Sequence, residues 1–196
     1  MNEKIQIEIN GTLEFLKTAE QLKNTLRSGH TSKGRVESVA EHTWRLSLMG
    51  MLFHKYYPEL DFGRLVKILI IHDMGEIVNG DIPAIYQNPD SDKNEEERND
   101  FLSILKPLSK EIKQEMISLW DEYNEVKTLE AKLAKALDKL ETLLQHNQGE
   151  NPEDFDYKFN LTYGSKHTGI DEIIRYVRSY IDDHTKDRMK SQQGTK

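Results

Sequence analysis

Apolar residues recur at helical spacing along most of this 196-residue chain. The clearest example is the stretch from residue 127 to about 145, in which Leu133, Leu137, Leu140 and Leu144 fall on one side of a helix. A repeat of about 3.6 residues places one apolar stripe against a core, so the pattern indicates amphipathic α-helices. Since internal repeats and sustained heptads are absent, the sequence predicts a globular all-α protein rather than a solenoid or a coiled coil.

Capping and stop signals place several helix boundaries. Ser38 and Glu41 form a capping-box pattern, which opens a helix running to about Tyr56. Asn79-Gly80 is a strong stop signal and ends a helix expected over residues 62–78. Further helices are expected at 12–26, 109–123, 127–145 and 168–181, with an extended arm at Ile5, Ile7 and Ile9, a surface loop over 87–100 that leads into another helix, and an irregular connection over 147–164.

Composition limits the classes of protein to which the chain can belong. Its length and its 36% apolar content predict one domain over residues 1–184, followed by a disordered tail over 185–196. The net charge of −7 argues against binding to nucleic acid or to an anionic membrane. Without a secretory N-terminus or an apolar run near about 18 residues, the chain is expected to be cytoplasmic. Because cysteine is absent, any metal must be held by histidine and carboxylate side chains.

The stretch ILIIHDMGE sets a problem of charge burial. The apolar run that ends at Ile71 leads directly into His72 and Asp73. A buried charge without a partner costs several kcal/mol, so a salt bridge or a metal ion is expected to meet these side chains.

Four residues are candidates for a metal site: His42, His72, Asp73 and Asp138. Two neutral imidazoles and two carboxylates carry a charge of −2, which balances one divalent cation. Mixed nitrogen and oxygen ligands suit Mn, Co, Ni, Fe, Zn or Mg. Each residue also has a simpler interpretation, since His42 can be an ordinary satisfied or surface histidine and Asp138 can form a surface ion pair with neighbouring lysines.

The order of these residues resembles the H…HD…D pattern of the HD-domain metal-dependent phosphohydrolases. His72 follows His42 by 30 positions, and Asp138 follows Asp73 by 65 positions. The blocks GRVESVAEHTWRLSLM, IHDMGEIVNGDIP and LAKALDKLETLLQHNQ are similar to those of the 5′-deoxynucleotidase-like branch. The resemblance implies an HD-domain helical bundle, a mononuclear divalent metal centre, a homodimer, and hydrolysis of deoxyribonucleoside 5′-monophosphates.

The same resemblance implies roles for individual residues. It makes His42, His72, Asp73 and Asp138 the metal ligands, Glu76 the acid/base group, Asp81 a group near the sugar, and Arg27 a phosphate ligand. Independently, Glu76 follows His72 by four residues and would share its helix face. Two alternatives stay open, namely an ordinary helix-end carboxylate at Glu76 and a turn or cap at Asp81.

A basic window surrounds Arg27, because residues 21–36 contain no acidic side chain. We expect Arg27, His30, Lys33 and Arg35 to bind the substrate, although a solvated basic surface would give the same pattern. Members of the resembling family often have a tryptophan directly after this arginine, near the sugar, whereas Ser28 follows here and His30 substitutes in part.

The leading functional hypothesis is a phosphomonoesterase for (deoxy)ribonucleoside 5′-monophosphates that uses a single metal ion. The resemblance favours a single ion, because HD-domain proteins with two metals usually have additional histidine ligands between the His-Asp pair and the last aspartate, and none of the seven histidines here lies between residues 73 and 138. The alternatives are an HD phosphohydrolase for a cyclic nucleotide, an alarmone or a dNTP, and a non-catalytic HD module that binds a ligand and keeps the metal as a structural element.

Overall fold

A computed structural model describes residues 1–82 and 93–194 of the chain. Within these ranges the fold is all-α, as predicted, with one small antiparallel sheet. The helices are α1 (Glu3–Ala19), α2 (Val39–Phe53), α3 (Phe62–Ile71), α4 (Glu76–Asn79), α5 (Lys93–Ile104), α6 (Lys110–Glu125), α7 (Leu129–Gln148), α8 (Tyr157–Asn160) and α9 (Glu172–Gly194). Strands β1 (Leu26–His30) and β2 (Val36–Ser38) pair with Leu26 opposite Ser38 and His30 opposite Val36.

Helix α7 is the centre of the bundle, in contact with α2, α3, α6 and α9. Leu133, Leu137, Leu140 and Leu143 are completely buried along it, whereas Leu144, expected in the stripe, is only partly buried. Burying one leucine side chain completely stabilises the folded state by about 1.5–3 kcal/mol relative to leaving it exposed. This burial fixes which side of α7 faces inward. None of the helices in the described ranges is both long and apolar enough to cross a bilayer.

The predicted capping box at the start of α2 is confirmed. The Glu41 amide donates to Ser38 Oγ at 3.3 Å, and the Ser38 amide donates to Glu41 Oε2 at 2.9 Å. Helix α2 ends at Phe53 and continues as a short 3₁₀ turn to Tyr56. His42 therefore lies in the first turns of α2, where it is completely buried.

The helix predicted over residues 62–78 is interrupted. Helix α3 ends at Ile71, His72 is its C-cap, and α4 begins only at Glu76. Gly75 lies in the interruption, where an added Cβ would be 2.7 Å from the carbonyl oxygen of Glu97 on α5. In an unbroken helix consecutive side chains diverge by about 100°. The interruption allows neighbouring His72 and Asp73 to line the same cavity.

The predicted extended arm is wrong, because α1 already begins at Glu3. Asn2 caps this helix by accepting from the Lys4 amide at 2.9 Å. The helix predicted over 12–26 also ends earlier, since α1 stops at Ala19 and Leu26 belongs to β1. Leu26 is extended because it pairs with Ser38 of β2. This partner lies outside the segment whose apolar spacing predicted the helix.

Two segments predicted as irregular are helical. Residues 93–100, predicted as loop, belong to α5, and residues 87–92 of that loop lie outside the described residues. Helix α9 runs to Gly194, so residues 185–194 of the predicted tail are helical in the structure. Thr185 is completely buried and donates to Asn147 Oδ1 at 3.0 Å, while Arg188 donates to the hydroxyl of Tyr157. These long-range partners stabilise the helix.

Candidate active site

A cavity of about 430 Å³ opens beside α7. Its size falls in the range of roughly 300–1,000 Å³ that is usual for small-molecule sites. The lining includes His72, Asp73 and Asp138 together with the aromatic rings of Phe155 and Phe159. The cavity therefore combines ionisable side chains with apolar ring surfaces.

The four residues predicted as metal ligands converge. The donor atoms of His42, His72 and Asp73 all lie within 4.8 Å of one another. Asp73 Oδ2 is 3.0 Å from His72 Nε2 and 3.8 Å from His42 Nε2. Asp138 Oδ1 adds a fourth donor atom, 3.4 Å from His42 Nε2.

The second ring nitrogen of each histidine is engaged elsewhere. His42 Nδ1 contacts the completely buried carboxylate of Glu141, and His72 Nδ1 donates to the carbonyl of Leu69 at 2.8 Å. In the neutral form of each ring, these contacts assign the proton to Nδ1 and leave a lone pair on Nε2. Both Nε2 atoms are buried and lack a hydrogen-bond partner in the described part of the chain. Two unpartnered imidazole nitrogens beside two carboxylates fit a divalent cation.

Electrostatics keep both carboxylates ionised. Burial raises the pKa of Asp138, but Lys139 and the histidines hold it well below its usual range. Burial likewise raises the pKa of Asp73, while His72 and His42 lower it further than burial raises it. For His42, burial and Arg27 lower the pKa, but Glu141 and Asp138 raise it to about 9. A cation that binds at His42 must therefore displace a proton.

Asp138 is held in place by two donors. The Tyr123 hydroxyl donates to Asp138 Oδ2 at 2.6 Å, and Lys139 Nζ lies 2.9 Å from the same oxygen. The sequence left open a surface ion pair between Asp138 and neighbouring lysines. Asp138 is only 4% exposed, so its ion pair is not at the surface. The ion pair with Lys139 exists, but it lies in the cavity lining. It leaves Oδ1 directed towards His42.

Glu76 lies one turn beyond His72 and lines the same cavity. It is the first residue of α4, is 7% exposed, and has no hydrogen-bond partner for Oε2 among the described residues. Burial, and then the charges of Asp73 and Asp81, raise its pKa well above the usual value. A buried carboxyl whose pKa is raised in this way is suited to proton transfer. An ordinary helix-end carboxylate would be solvated instead.

Arg27 projects from β1 to the edge of the histidine–aspartate cluster. Its NH1 group lies 3.3 Å from Asp73 Oδ2, and NH2 donates to Thr142 Oγ1 at 3.0 Å. Its Nε is 3.7 Å from Glu37 Oε2. The side chain is 11% exposed, so its forked donors are fixed at the cavity rather than free in solvent.

The remaining predicted residues divide into two groups. His30 and Asp81 line the cavity. Lys33 and Arg35 are not among its lining residues, and their binding to the substrate stays a prediction. Lys33 is exposed in the turn between the strands, and Arg35 pairs with Glu41 at 2.5 Å on the surface. The basic window thus contributes Arg27 and His30 to the cavity lining, while Lys33 and Arg35 are exposed to solvent.

Sequence reasoning missed several groups on α6 and α7. Lys135 and Lys139 line the cavity, and Lys135 Nζ lies 3.7 Å from the centre of the Tyr123 ring. Their spacing could have indicated this position, because Lys135, Asp138 and Lys139 share one face of α7 and Asp138 was already a candidate ligand. Glu141 follows Asp138 by three residues and supplies the carboxylate that commonly supports a ligating histidine.

The profile of the HD domain family matches residues 19–178. Among curated relatives, the 5′-deoxynucleotidase HDDC2 of Dictyostelium discoideum is 34% identical over 158 residues, which cover 76% of this chain and 83% of the relative. The 5′-deoxynucleotidase HDDC2 of Homo sapiens is 33% identical over 143 residues, covering 72% and 69%.

Solved structures show the same fold. A predicted metal-dependent phosphohydrolase from Magnetospirillum magnetotacticum MS-1 has a TM-score of 0.81 at 24% identity, over 97% of both chains. A conserved hypothetical protein from Pyrococcus furiosus has a TM-score of 0.67 at 28% identity, over 89% of this chain and 99% of the other. With its converging histidines and aspartates, its matching profile and these relatives, the chain belongs to the HD-domain family, in the branch of the 5′-deoxynucleotidases HDDC2.

Proposed function

We propose that the chain is a metal-dependent phosphomonoesterase that hydrolyses (deoxy)ribonucleoside 5′-monophosphates to nucleoside and phosphate. The observation that carries the proposal is the pair of unpartnered Nε2 atoms of His42 and His72, which lie beside two carboxylates and next to Arg27. The substrate class comes from the names of the relatives, which are 5′-deoxynucleotidases.

The proposed ligands are His42, His72, Asp73 and Asp138. When bound there, a divalent cation lowers the pKa of water and polarises a phosphoryl oxygen. Glu76 takes the proton from the attacking water through its unpartnered oxygen. As the new oxygen–phosphorus bond forms and the bond from phosphorus to the 5′-oxygen breaks, Glu76 returns that proton to the nucleoside.

Positive side chains hold the phosphate in this proposal. Arg27 binds phosphoryl oxygens through its forked donors, exchanging its contact with Thr142 for the substrate. Lys135 and Lys139 line the same cavity and add charge. Asp81, also in the lining, is proposed to contact the sugar hydroxyls.

The proposal is tested by a survey of phosphate release. Deoxyribonucleoside and ribonucleoside 5′-monophosphates, dNTPs and cyclic nucleotides are each assayed with Mn²⁺, Co²⁺, Mg²⁺ and Zn²⁺. We expect release from monophosphates, and release from triphosphates alone would contradict the proposal in favour of another HD phosphohydrolase. The survey also measures the preference for deoxyribose over ribose.

Turnover by the parent protein and by its Glu76→Gln variant distinguishes an enzyme from a non-catalytic module in which the metal is only a structural element. General acid–base catalysis contributes roughly 10²–10⁴-fold, so kcat should fall by about that factor while metal stays bound. Glu122→Gln is the matched control, because Glu122 is a buried glutamate that pairs with Arg64 and does not line the cavity. Full turnover by the Glu76 variant with metal bound would contradict the acid/base role of Glu76, whereas a parent protein that binds metal but turns over no phosphoester would favour the module.

We further propose one ion per chain. A second group of possible ligands, Glu37, His42 and Glu141, shares His42 with the first. The oxygens of Glu141 already contact His42 Nδ1 and Arg45 Nε, which argues against a second ion there. Metal titration should therefore saturate at one equivalent.

A homodimer is proposed as the assembly, in a cytoplasmic protein without nucleic-acid partners. Helix α2 exposes an apolar stripe of Trp44, Leu48, Met51 and Leu52, which a second copy could cover. Light scattering should give twice the chain mass, and Trp44→Glu with Leu52→Glu should shift the protein to monomer. A monomeric parent protein would refute the assembly without affecting the chemistry.

A further inference from the structure

The segment of residues 152–163 forms a wall of the cavity that the hydrolytic chemistry does not use. Phe155, Phe159 and Tyr163 are half-buried and line the cavity with their rings. Phe155 packs edge-on against His146 at 4.9 Å between ring centres, and Phe159 is tilted against Tyr163 at 5.5 Å. The wall therefore offers aromatic surface within the same cavity as the metal ligands.

Asn160 adds a polar group to this wall. It is 1% exposed, and its Oδ1 lies 3.1 Å from Nδ1 of His146. Burial lowers the pKa of His146 to about 4, so the ring is neutral at pH 7 and its Nδ1–H can donate to Asn160. Asn160 Nδ2 then remains a buried donor with no partner in the described residues, although Asn160 lines the cavity. An unmade buried donor is costly, which suggests that a ligand accepts from it.

We propose that Phe155, Phe159 and Asn160 form the subsite for the nucleobase of the substrate. The base stacks on the phenylalanine rings, and a ring nitrogen or carbonyl oxygen of the base accepts from Asn160 Nδ2. Stacking tolerates any base, because every base has a π-face, whereas the single amide donor requires an acceptor. This inference rests on the proposed function for the identity of the substrate as a nucleotide.

The wall is held rigidly by α9. Arg178 donates to the carbonyls of Asn160 at 3.0 Å, Leu161 at 2.8 Å and Tyr163 at 2.7 Å. Nearer the C-terminus, Gln192 Nε2 donates to the carbonyl of Phe155 at 3.1 Å. Because these hydrogen bonds hold the backbone of the wall without a ligand, the protein loses little conformational entropy when a ligand binds. Such a wall suits recognition better than a loop that must first be ordered.

The test compares substrates with and without a base. In Phe159→Leu we expect KM for a deoxyribonucleoside 5′-monophosphate to rise on the order of tenfold, with kcat nearly unchanged. KM for 2-deoxyribose 5-phosphate, which has no base, should stay the same. Asn160→Asp keeps the oxygen that faces His146 and removes the donor, so it should show the same split between substrates.

Phe62→Leu is the matched control, because Phe62 is a part-exposed phenylalanine that contacts His54 and does not line the cavity. Circular dichroism and thermal unfolding establish that each variant is folded. Equal rises in KM for both substrates, or no rise for either, would overturn the base subsite.

A second measurement does not depend on turnover. Equilibrium dialysis with 2′-deoxyadenosine, which has no phosphate, should show binding to the parent protein and about tenfold weaker binding to Phe159→Leu. If no nucleotide is hydrolysed but the nucleoside binds in this way, the proposed function fails and the subsite stands. If nucleotides are hydrolysed and the nucleoside binds both proteins equally, the subsite fails alone.

Discussion

Replacing Glu141 by glutamine tests how the buried carboxylate behind His42 controls metal binding. Glu141 is completely buried and contacts both His42 Nδ1 and Arg45 Nε, the latter at 2.6 Å. Glutamine keeps the shape and one acceptor but removes the charge. Loss of such a supporting carboxylate typically weakens metal binding about 10–100-fold, or about 1.4–2.7 kcal/mol.

The loss of metal affinity in Glu141→Gln should depend on the pH of the measurement. Glu141 is a main reason that the pKa of His42 is about 9, although burial and Arg27 lower it. Below that pH a proton competes with the cation, so the apparent affinity of the parent protein should rise roughly tenfold per pH unit from 7 to 9. Without Glu141 the pKa of His42 falls, the competition disappears, and the affinity of the variant should be nearly independent of pH over this range.

The assay is a titration with Mn²⁺ under anaerobic conditions, buffered by a weak chelator, at pH 7, 8 and 9. We expect the two proteins to differ little at pH 7 and by about 10–100-fold at pH 9. Glu122→Gln should follow the parent curve. Parallel pH dependences for the parent and the Glu141 variant would refute the role given to this carboxylate.

Four further results are expected. Tyr123→Phe removes the 2.6 Å bond to Asp138 Oδ2 and should weaken metal binding about tenfold in the same titration. Burial and Lys139 lower the pKa of Lys135 from 10.5 to about 8, so its charge is present below pH 8 and lost above it. Inhibition by inorganic phosphate should therefore weaken as pH rises through 8, and Lys135→Gln should flatten this dependence. The folding penalty for charged Lys135 is relieved between pH 8 and 10.5, so stability should rise there in the parent protein alone. Arg178→Met leaves three carbonyls unpaired and should lower the free energy of unfolding by about 3–5 kcal/mol in urea denaturation, with Arg175→Met as the exposed control.

Signals that act over a few residues predicted the structure well. The capping box at Ser38 and the stop at Asn79-Gly80 are formed by neighbours in the chain, and both are found where expected. The interruption after Ile71 depends on the close approach of α5 at Gly75, and the order of α9 beyond residue 185 depends on Asn147 and Tyr157. Such contacts join distant parts of the chain and leave no local pattern.

The same distinction applies to the site. The four proposed ligands were selected through their resemblance to the H…HD…D pattern, because residue type alone does not single out four positions among seven histidines and 34 acidic residues. The orientation of charged residues was harder to predict. Lys135 and Lys139 line the cavity, whereas Lys33 and Arg35 face solvent, although all four are basic side chains. Only the packing of α7 and the strand turn separates them.

The separation of the four converging residues along the chain also bears on the order of folding. His42, the His72-Asp73 pair and Asp138 come from α2, the α3–α4 turn and α7, so loops of 30 and 65 residues must close before their donor atoms meet. In a zinc finger the ligands are close in sequence and the ion can organise the chain, but here the polypeptide must assemble its core first. The molar ratio of bound ion to protein, measured on purified protein, would then report the fraction of molecules that are natively folded.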